Sequence, residues 1–348
     1  MFSDAHGGLN RAELREAGFQ AQDVVDFSVN TNPFGPPPAV LAALAQYDPS
    51  AYPDREALEL REGLAQQNRV EINQVLAGNG AAELIWLAAR AFLSPGDRAL
   101  VVSPSFGEYA RAAQAGGAAV IEYRAQPPDF HLDVDRLIET IRKAQPKLVF
   151  LCNPNNPTGI FLKDEEICAI NAACARGILV LDEAYRAFVT GTPFAPPLDE
   201  NMLVLRSMTK DFAIAGLRLG YAIGRADVIA ALKNVQPPWS VNAAAQAAGL
   251  ACLAEIETVQ KTLAQTRILA DRLSDELRQL GANVARTTLH YRLVDVSPLA
   301  GSEFRRLLLR SRLVVRDCAS FGLPHYVRAG TRLEEDNRHL INSWRLLI

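Results

Sequence analysis

Between Arg98 and Gly224 the chain alternates short, almost wholly apolar runs with longer amphipathic stretches, and this alternation limits the fold more than any other feature. Strands are expected over 99–103, 118–123, 147–152, 178–181, 202–207 and 219–224, with helices over 106–115, 133–144 and 163–176. Strands of near-continuous Val, Leu and Ile are covered on both faces, and helices between them make the sheet mostly parallel. The expectation is an α/β domain with a mostly parallel central sheet flanked by helices. Ligands of such sheets gather at the strand ends.

Three of those ends carry candidates for chemistry. The run 202–207 leads into Ser207-Met208-Thr209-Lys210, and eight positions past the lysine, beyond a glycine, Arg218 opens another apolar run. A lysine between two buried segments loses hydration, which lowers its pKa and favours the neutral amine that condenses with aldehydes. Ser207 and Arg218 beside it suit an anion, and an aldehyde that carries a phosphate is pyridoxal 5'-phosphate. Ile178-Leu179-Val180-Leu181-Asp182 sets a carboxylate directly after four apolar residues. A buried, unpaired charge is costly, so Asp182 needs a cationic partner, for which a protonated pyridine nitrogen would serve; an Asp that caps the next segment is the alternative. Asn153-Pro154-Asn155-Asn156-Pro157-Thr158-Gly159 follows a third strand, its prolines fixing the backbone around an amide side chain. Upstream, Gly78-Asn79-Gly80-Ala81 ends a strand and opens a helix whose first amides could hold a phosphate. Glu83 stands where a dinucleotide fingerprint would have its third glycine.

Composition narrows the partners. With 36 basic against 39 acidic residues, the chain has no basic footprint for nucleic acid or a membrane surface. No apolar run reaches the ~18 residues of a membrane span and no leader pattern opens the sequence, so a soluble, cytoplasmic protein is expected. The five cysteines are odd in number and lack Cys-x-x-Cys spacing, and the five histidines are scattered. Neither disulfides nor a metal site is expected. At 348 residues about two domains are expected. The reading is an N-terminal segment over 1–35, a large domain over 36–235, and an interdomain helix with a smaller α+β domain over 236–348. In that last part a helix is expected over 254–280 and strands over 291–296, 313–316 and 325–328. Arg316 and Arg328 each end an apolar run expected as a strand, while Arg310, Arg312 and Arg332 nearby are read as surface charge.

The heptad from Asn153 to Gly159, Asp182-Glu183-Ala184-Tyr185, and Ser207-x-x-Lys210 with Arg218 together resemble, in order and spacing, the fold-type I pyridoxal-phosphate enzymes of the aspartate aminotransferase superfamily. Within it the chain is similar to the histidinol-phosphate aminotransferase branch. The resemblance implies that Lys210 carries the cofactor and shuttles protons, that Asp182 partners the ring nitrogen, and that Asn156 and Tyr185 bond the ring hydroxyl. Ser207, Arg218 and the amides of Gly80 and Ala81 would hold the phosphate. Phe106 would lie against the ring, with Tyr109 competing for that place. Tyr52, in Tyr-Pro-Asp, would reach the cofactor phosphate of a neighbouring subunit, which implies a homodimer with shared sites.

His6-Gly7-Gly8, Asp26-Phe27-Ser28-x-Asn30-x-Asn32-Pro33 and Pro238-Trp239-Ser240-Val241-Asn242 resemble the threonine-phosphate decarboxylases of cobalamin biosynthesis. That likeness implies decarboxylation of L-threonine O-3-phosphate, a small phosphorylated amino-acid substrate, to an aminopropanol phosphate. His6, Gly7, Asn30 and Asn156 would contact the substrate, and Arg316 and Arg328 would bind its anionic groups, as fixed and always-charged forks can. The Ala-Gly-Thr that follows Arg328 departs from the pattern. Two alternatives stand beside this reading: a histidinol-phosphate aminotransferase working with 2-oxoglutarate, and a non-catalytic pyridoxal-phosphate-binding module.

Overall fold

A computed structural model of the chain describes residues 7–189 and 201–347. Its strands are β1 (Val25–Asp26), β2 (Val75–Gly78), β3 (Arg98–Ser103), β4 (Ala119–Arg124), β5 (Leu148–Cys152), β6 (Ile178–Asp182), β7 (Met202–Ser207), β8 (Gly220–Gly224), β9 (Asn283–Val284), β10 (Tyr291–Asp295), β11 (Leu313–Val314), β12 (Arg316–Asp317) and β13 (Tyr326–Gly330). Seven of them form one sheet in the order β2-β8-β7-β6-β5-β3-β4. It is parallel from β7 to β4, while β8 runs antiparallel to both of its neighbours.

The apolar runs become the centre of this sheet because both of its faces are covered. On one face Val101, Phe150, Val180 and Leu203 pack with Leu84, Ile85 and Ala88 of helix Gly80–Phe92 and with Tyr109 and Ala112 of helix Glu108–Ala115. On the other, Leu100, Val149, Leu179 and Val204 pack with Leu137 and Ile141 of helix Val134–Ala144 and with Ile167 and Ile170 of helix Asp164–Ala173. Each such side chain fully withdrawn from water contributes about 1.5–3 kcal/mol. The second of these helix pairs starts where local chemistry dictates. The Asp133 carboxylate accepts from the Arg136 amide at 3.0 Å as an N-cap, and Arg142 and Lys143 lie in the last turn, complementing the helix dipole.

A second, four-stranded sheet runs β12-β13-β10-β9. Its core joins Val294, Val315 and Val327 to Leu273 and Leu277 of helix Ile256–Gln279 and to Leu340 and Trp344 of helix Glu334–Arg345, and Phe27 from the N-terminal segment enters the same core. Two expectations are corrected here. The single strand over 313–316 is split at Val315: β11 pairs in parallel with β1, whereas β12 pairs antiparallel with β13, so the chain changes partner within one buried run. The long helix starts at Ile256, because Glu255, at φ −110°, separates it from a preceding helix, Ala243–Ala254. Among the described residues no helix is long and apolar enough to cross a membrane, and no cluster of three or more His, Cys, Asp or Glu could hold a metal ion. No disulfide joins any two of the five cysteines.

Candidate active site

The site lies beyond the carboxyl ends of β5, β6 and β7. After β7 the chain makes a single helical turn, Met208–Asp211, whose N-cap Ser207 accepts from the Thr209 amide and shares a 2.6 Å bond with the Thr209 hydroxyl. This turn places Lys210 just beyond the carboxyl end of β7. From the other side the Asn32 amide donates to the Lys210 carbonyl at 2.8 Å and the Asn32 side chain donates to the Asp211 carbonyl at 3.0 Å. Burial pulls the Lys210 amine down to about 8, with the charges of Arg328 and Arg218 acting in the same direction and Asp182 opposing them.

On the neighbouring strand, β6 ends in Asp182, which is buried. One carboxylate oxygen accepts from the Tyr109 hydroxyl at 2.7 Å and the other from the Ala184 amide at 2.9 Å. Both donors are neutral, and burial raises the carboxyl's pKa despite them. Tyr109 is therefore committed: its ring stacks on Phe150 at 5.4 Å and its hydroxyl braces Asp182, while Phe106 meets it edge-on and is only half-buried. Next to Asp182, Tyr185 is also buried, which pushes its phenol up to about 12.

The loop after β5 is held rigid from inside. Asn153 exchanges bonds with both polar groups of the Leu162 peptide, and the Asn155 side chain accepts from Ser105 and donates to the Pro104 carbonyl and to Thr158. Asn156 is thereby presented to Arg328, whose guanidinium donates to its side-chain oxygen and, through Nη2, to the Ser28 carbonyl at 2.7 Å. Arg316 and Arg328 are cross-strand partners on β12 and β13, both 4% exposed. Arg316 donates to Ser320 at 2.6 Å and lines a cavity of about 300 Å³ together with Gly7, Gly8, Ser28 and Arg305.

Gly80, Ala81 and Arg218 converge on the remaining side. Gly80 opens its helix at φ +76°, and a Cβ placed there would lie 2.6 Å from Arg218 Nη2. A Cβ on Gly220 would come within 2.5 Å of the Ala81 nitrogen. Glycine is required at both positions so that a helix start and a guanidinium can share one small space, which is the donor set an anion needs.

Of the expected residues, Lys210, Asp182, Tyr185, Asn156, Asn30, Gly7, Arg316 and Arg328 form one contiguous region, with Gly80, Ala81, Ser207 and Arg218 grouped to one side of it. Tyr52 is not gathered there: it is 82% exposed, its ring against Trp239 at 5.1 Å. His6 lies outside the described residues. Ser28, Ser320 and His290 are not among the expected residues: Ser28 lies two positions before Asn30, while Ser320 and His290 join the site only through their bonds to Arg316 and to the Asn30 carbonyl.

These groups suit pyridoxal phosphate. A buried carboxylate with only neutral donors calls for a cation, an amine with a depressed pKa calls for an aldehyde, and the cup beside Gly80 calls for a phosphate. The fold that carries them is that of the fold-type I pyridoxal-phosphate enzymes. Residues 22–343 match the model of the aminotransferase class I and II family, and the chain belongs to that family. It is thus a pyridoxal-phosphate-dependent enzyme. It is 37% identical, over 94% of its length and 91% of the relative's, to a histidinol-phosphate aminotransferase from Symbiobacterium thermophilum. Among solved structures, the histidinol-phosphate aminotransferase from Clostridium acetobutylicum matches with a TM-score of 0.84 at 25% identity, covering 92% of this chain and 98% of that one. The L-threonine-O-3-phosphate decarboxylase from Porphyromonas gingivalis matches with a TM-score of 0.81 at 26% identity, with the same coverage of 92% and 98%.

Proposed function

We propose that the chain is an aminotransferase of the histidinol-phosphate type, moving an amino group between a small phosphorylated amine and 2-oxoglutarate. The observation that carries this reading is the 37% identity, through nearly the whole chain, to a protein of that name. The preference reverses the order of the two reactions expected from the sequence motifs.

Bound at this site, pyridoxal phosphate supplies a sink for the electrons released at the substrate's Cα. The chain's own groups do the rest. Lys210, with its amine held near neutrality, takes the proton from Cα and returns it. Asp182 would partner the charged nitrogen of the ring, and Tyr109 keeps that carboxylate oriented. Asn156 and Tyr185 would hold the ring hydroxyl, Phe106 would lie against the ring, and Gly80, Ala81, Ser207 and Arg218 would anchor the phosphate. Arg316 and Arg328 receive the anionic groups of each substrate in turn, and paired forks suit a phosphate or a carboxylate equally. A homodimer in which Tyr52 serves the neighbouring site, a cytoplasmic location, and the division into segments 1–35, 36–235 and 236–348 belong to the same proposal.

Decarboxylation of L-threonine O-3-phosphate is the second reading, favoured by one observation. The Gly8 amide donates to the Ser28 hydroxyl at 2.8 Å, and a Cβ on Gly7 would stand 3.5 Å from Arg328, so the N-terminal segment closes over the arginine pair. Two assays separate the readings. Histidinol phosphate with 2-oxoglutarate should yield glutamate, and L-threonine O-3-phosphate should release no carbon dioxide. Carbon dioxide release in the second assay without glutamate in the first would replace the aminotransferase by the decarboxylase.

A further inference from the structure

His290 is completely buried, and its ring lies 3.5 Å, centroid to centroid, from that of Phe188, with the planes 16° apart. Its Nε2 is 3.0 Å from the Asn30 carbonyl oxygen, and its Nδ1 has no hydrogen-bond partner. A carbonyl only accepts, so the proton sits on Nε2. Burial pulls the imidazole down to about 3, with Arg292, Arg328 and Lys210 acting in the same direction against the Asn30 bond. The phenols of Tyr185 and Tyr291 are the other titratable groups against it, and both are held protonated by burial. A ring that stays neutral, with its one proton given to a main-chain carbonyl, is unsuited to proton transfer. What it can do is hold a position.

The position it holds is that of Asn30. Asn30 is 1% exposed; its side-chain nitrogen donates to the Tyr185 hydroxyl at 3.4 Å, and its side-chain oxygen has no partner. Three carbonyls of this segment are held in succession: Phe27 by the Gly330 amide at 2.7 Å, Ser28 by Arg328, and Asn30 by His290. His290 makes the last of these contacts before the chain crosses to Asn32 and the Lys210 carbonyl. It also touches the other partner of the bond it governs, because Phe188 closes the short 3-10 turn Arg186–Phe188 that follows Tyr185. The main chain that carries the imidazole is fixed by the Thr331 amide, which donates to the His290 carbonyl at 2.7 Å.

We propose that His290 is a positioning residue of the active site: by holding the Asn30 carbonyl and stacking on Phe188 it sets the meeting of the Asn30 amide with the Tyr185 hydroxyl, and so the aim of that hydroxyl beside Lys210. This rests on the cofactor and not on the choice between amino transfer and decarboxylation.

The test uses two variants of the full chain loaded with pyridoxal phosphate and no substrate. His290→Phe keeps a ring for Phe188 and removes the donor. His290→Gln keeps a donor at the reach of Nε2. The readout is the pH midpoint of the cofactor's absorbance. In His290→Phe the midpoint should rise by roughly half a unit or more, since a less well aimed hydroxyl favours the deprotonated chromophore less. His290→Gln should stay close to the parent. A purely structural role would lower the melting temperature of both and move neither midpoint. An unchanged midpoint in His290→Phe, or equal shifts in both variants, overturns the proposal. If His290→Phe does not yield folded protein, Asn30→Ala decides: its midpoint must rise at least as far, and an unaltered one overturns the proposal equally.

Discussion

Replacing Gly80 with alanine should damage cofactor binding more than folding, because of what the new methyl would meet. At φ +76° an L-residue pays about 1–2 kcal/mol of backbone strain, enough to lower the melting temperature by a few degrees. The Cβ would also stand 2.6 Å from Arg218 Nη2 and 3.2 Å from its Cζ. Arg218 is exposed, and its one described hydrogen bond, to the Ala215 carbonyl, is 3.2 Å long, so the guanidinium swings away more easily than the helix moves. A hydrogen bond to a charged group is worth about 1.5–3 kcal/mol, which converts to a roughly 10- to 150-fold higher Kd for pyridoxal phosphate. Equilibrium binding to the cofactor-free protein measures this, and calorimetry of the same sample measures the strain separately. Arg218→Ala should weaken binding by a similar factor, and Gly80→Ala made in that background should add little, since the two act through one guanidinium. Parent-like binding by Gly80→Ala, or losses that simply add in the double variant, would refute the reasoning.

Other outcomes follow from the same geometry. Capture of pyridoxal phosphate by the cofactor-free protein should accelerate with pH and level off above about 8, because only the neutral amine of Lys210 attacks the aldehyde; a rate still climbing toward the ordinary lysine value contradicts the depressed pKa. Borohydride reduction of the yellow protein, followed by peptide mapping, should place the adduct on Lys210. Asp182→Ala should retain some cofactor yet lose about two to four powers of ten in turnover, as breaking a buried pair costs about 3–5 kcal/mol; near-normal turnover in a loaded sample would make Asp182 merely structural. Arg316→Ala should raise KM for the phosphorylated amine well above its effect on kcat, as measured by steady-state kinetics.

The parts legible in the sequence were those decided by local chemistry. The runs 148–152 of β5, 178–181 of β6 and 202–205 of β7 are apolar because both faces of the sheet are covered, and the polar residues at or just past their ends, Asn156, Asp182, Ser207 and Lys210, could be picked out by contrast alone. What escaped depends on how distant elements dock. Tyr109 reaches Asp182 only once helix Glu108–Ala115 lies on the sheet, so nothing near residue 109 announces a bond across 73 positions. The break at Val315 is equally silent, since residues 313–316 are uniformly buried while their pairing partners change. The reaction was least legible of all: the cofactor groups are common to amino transfer and decarboxylation, and two arginines accept the anions of either substrate.

Those two arginines carry a further consequence for how the protein behaves in solution. Arg316 and Arg328 face each other across adjacent strands, where like charges on directly opposed residues repel, and burial limits the screening that salt provides at a surface. The C-terminal sheet therefore holds two buried cations on directly opposed residues, a pair that a doubly charged anion suits. Phosphate and sulfate should raise the melting temperature of the cofactor-free protein where chloride at equal ionic strength does not, by mass action on the folded state. The same ions should compete with substrate, so the choice of buffer itself becomes a titration of this pair.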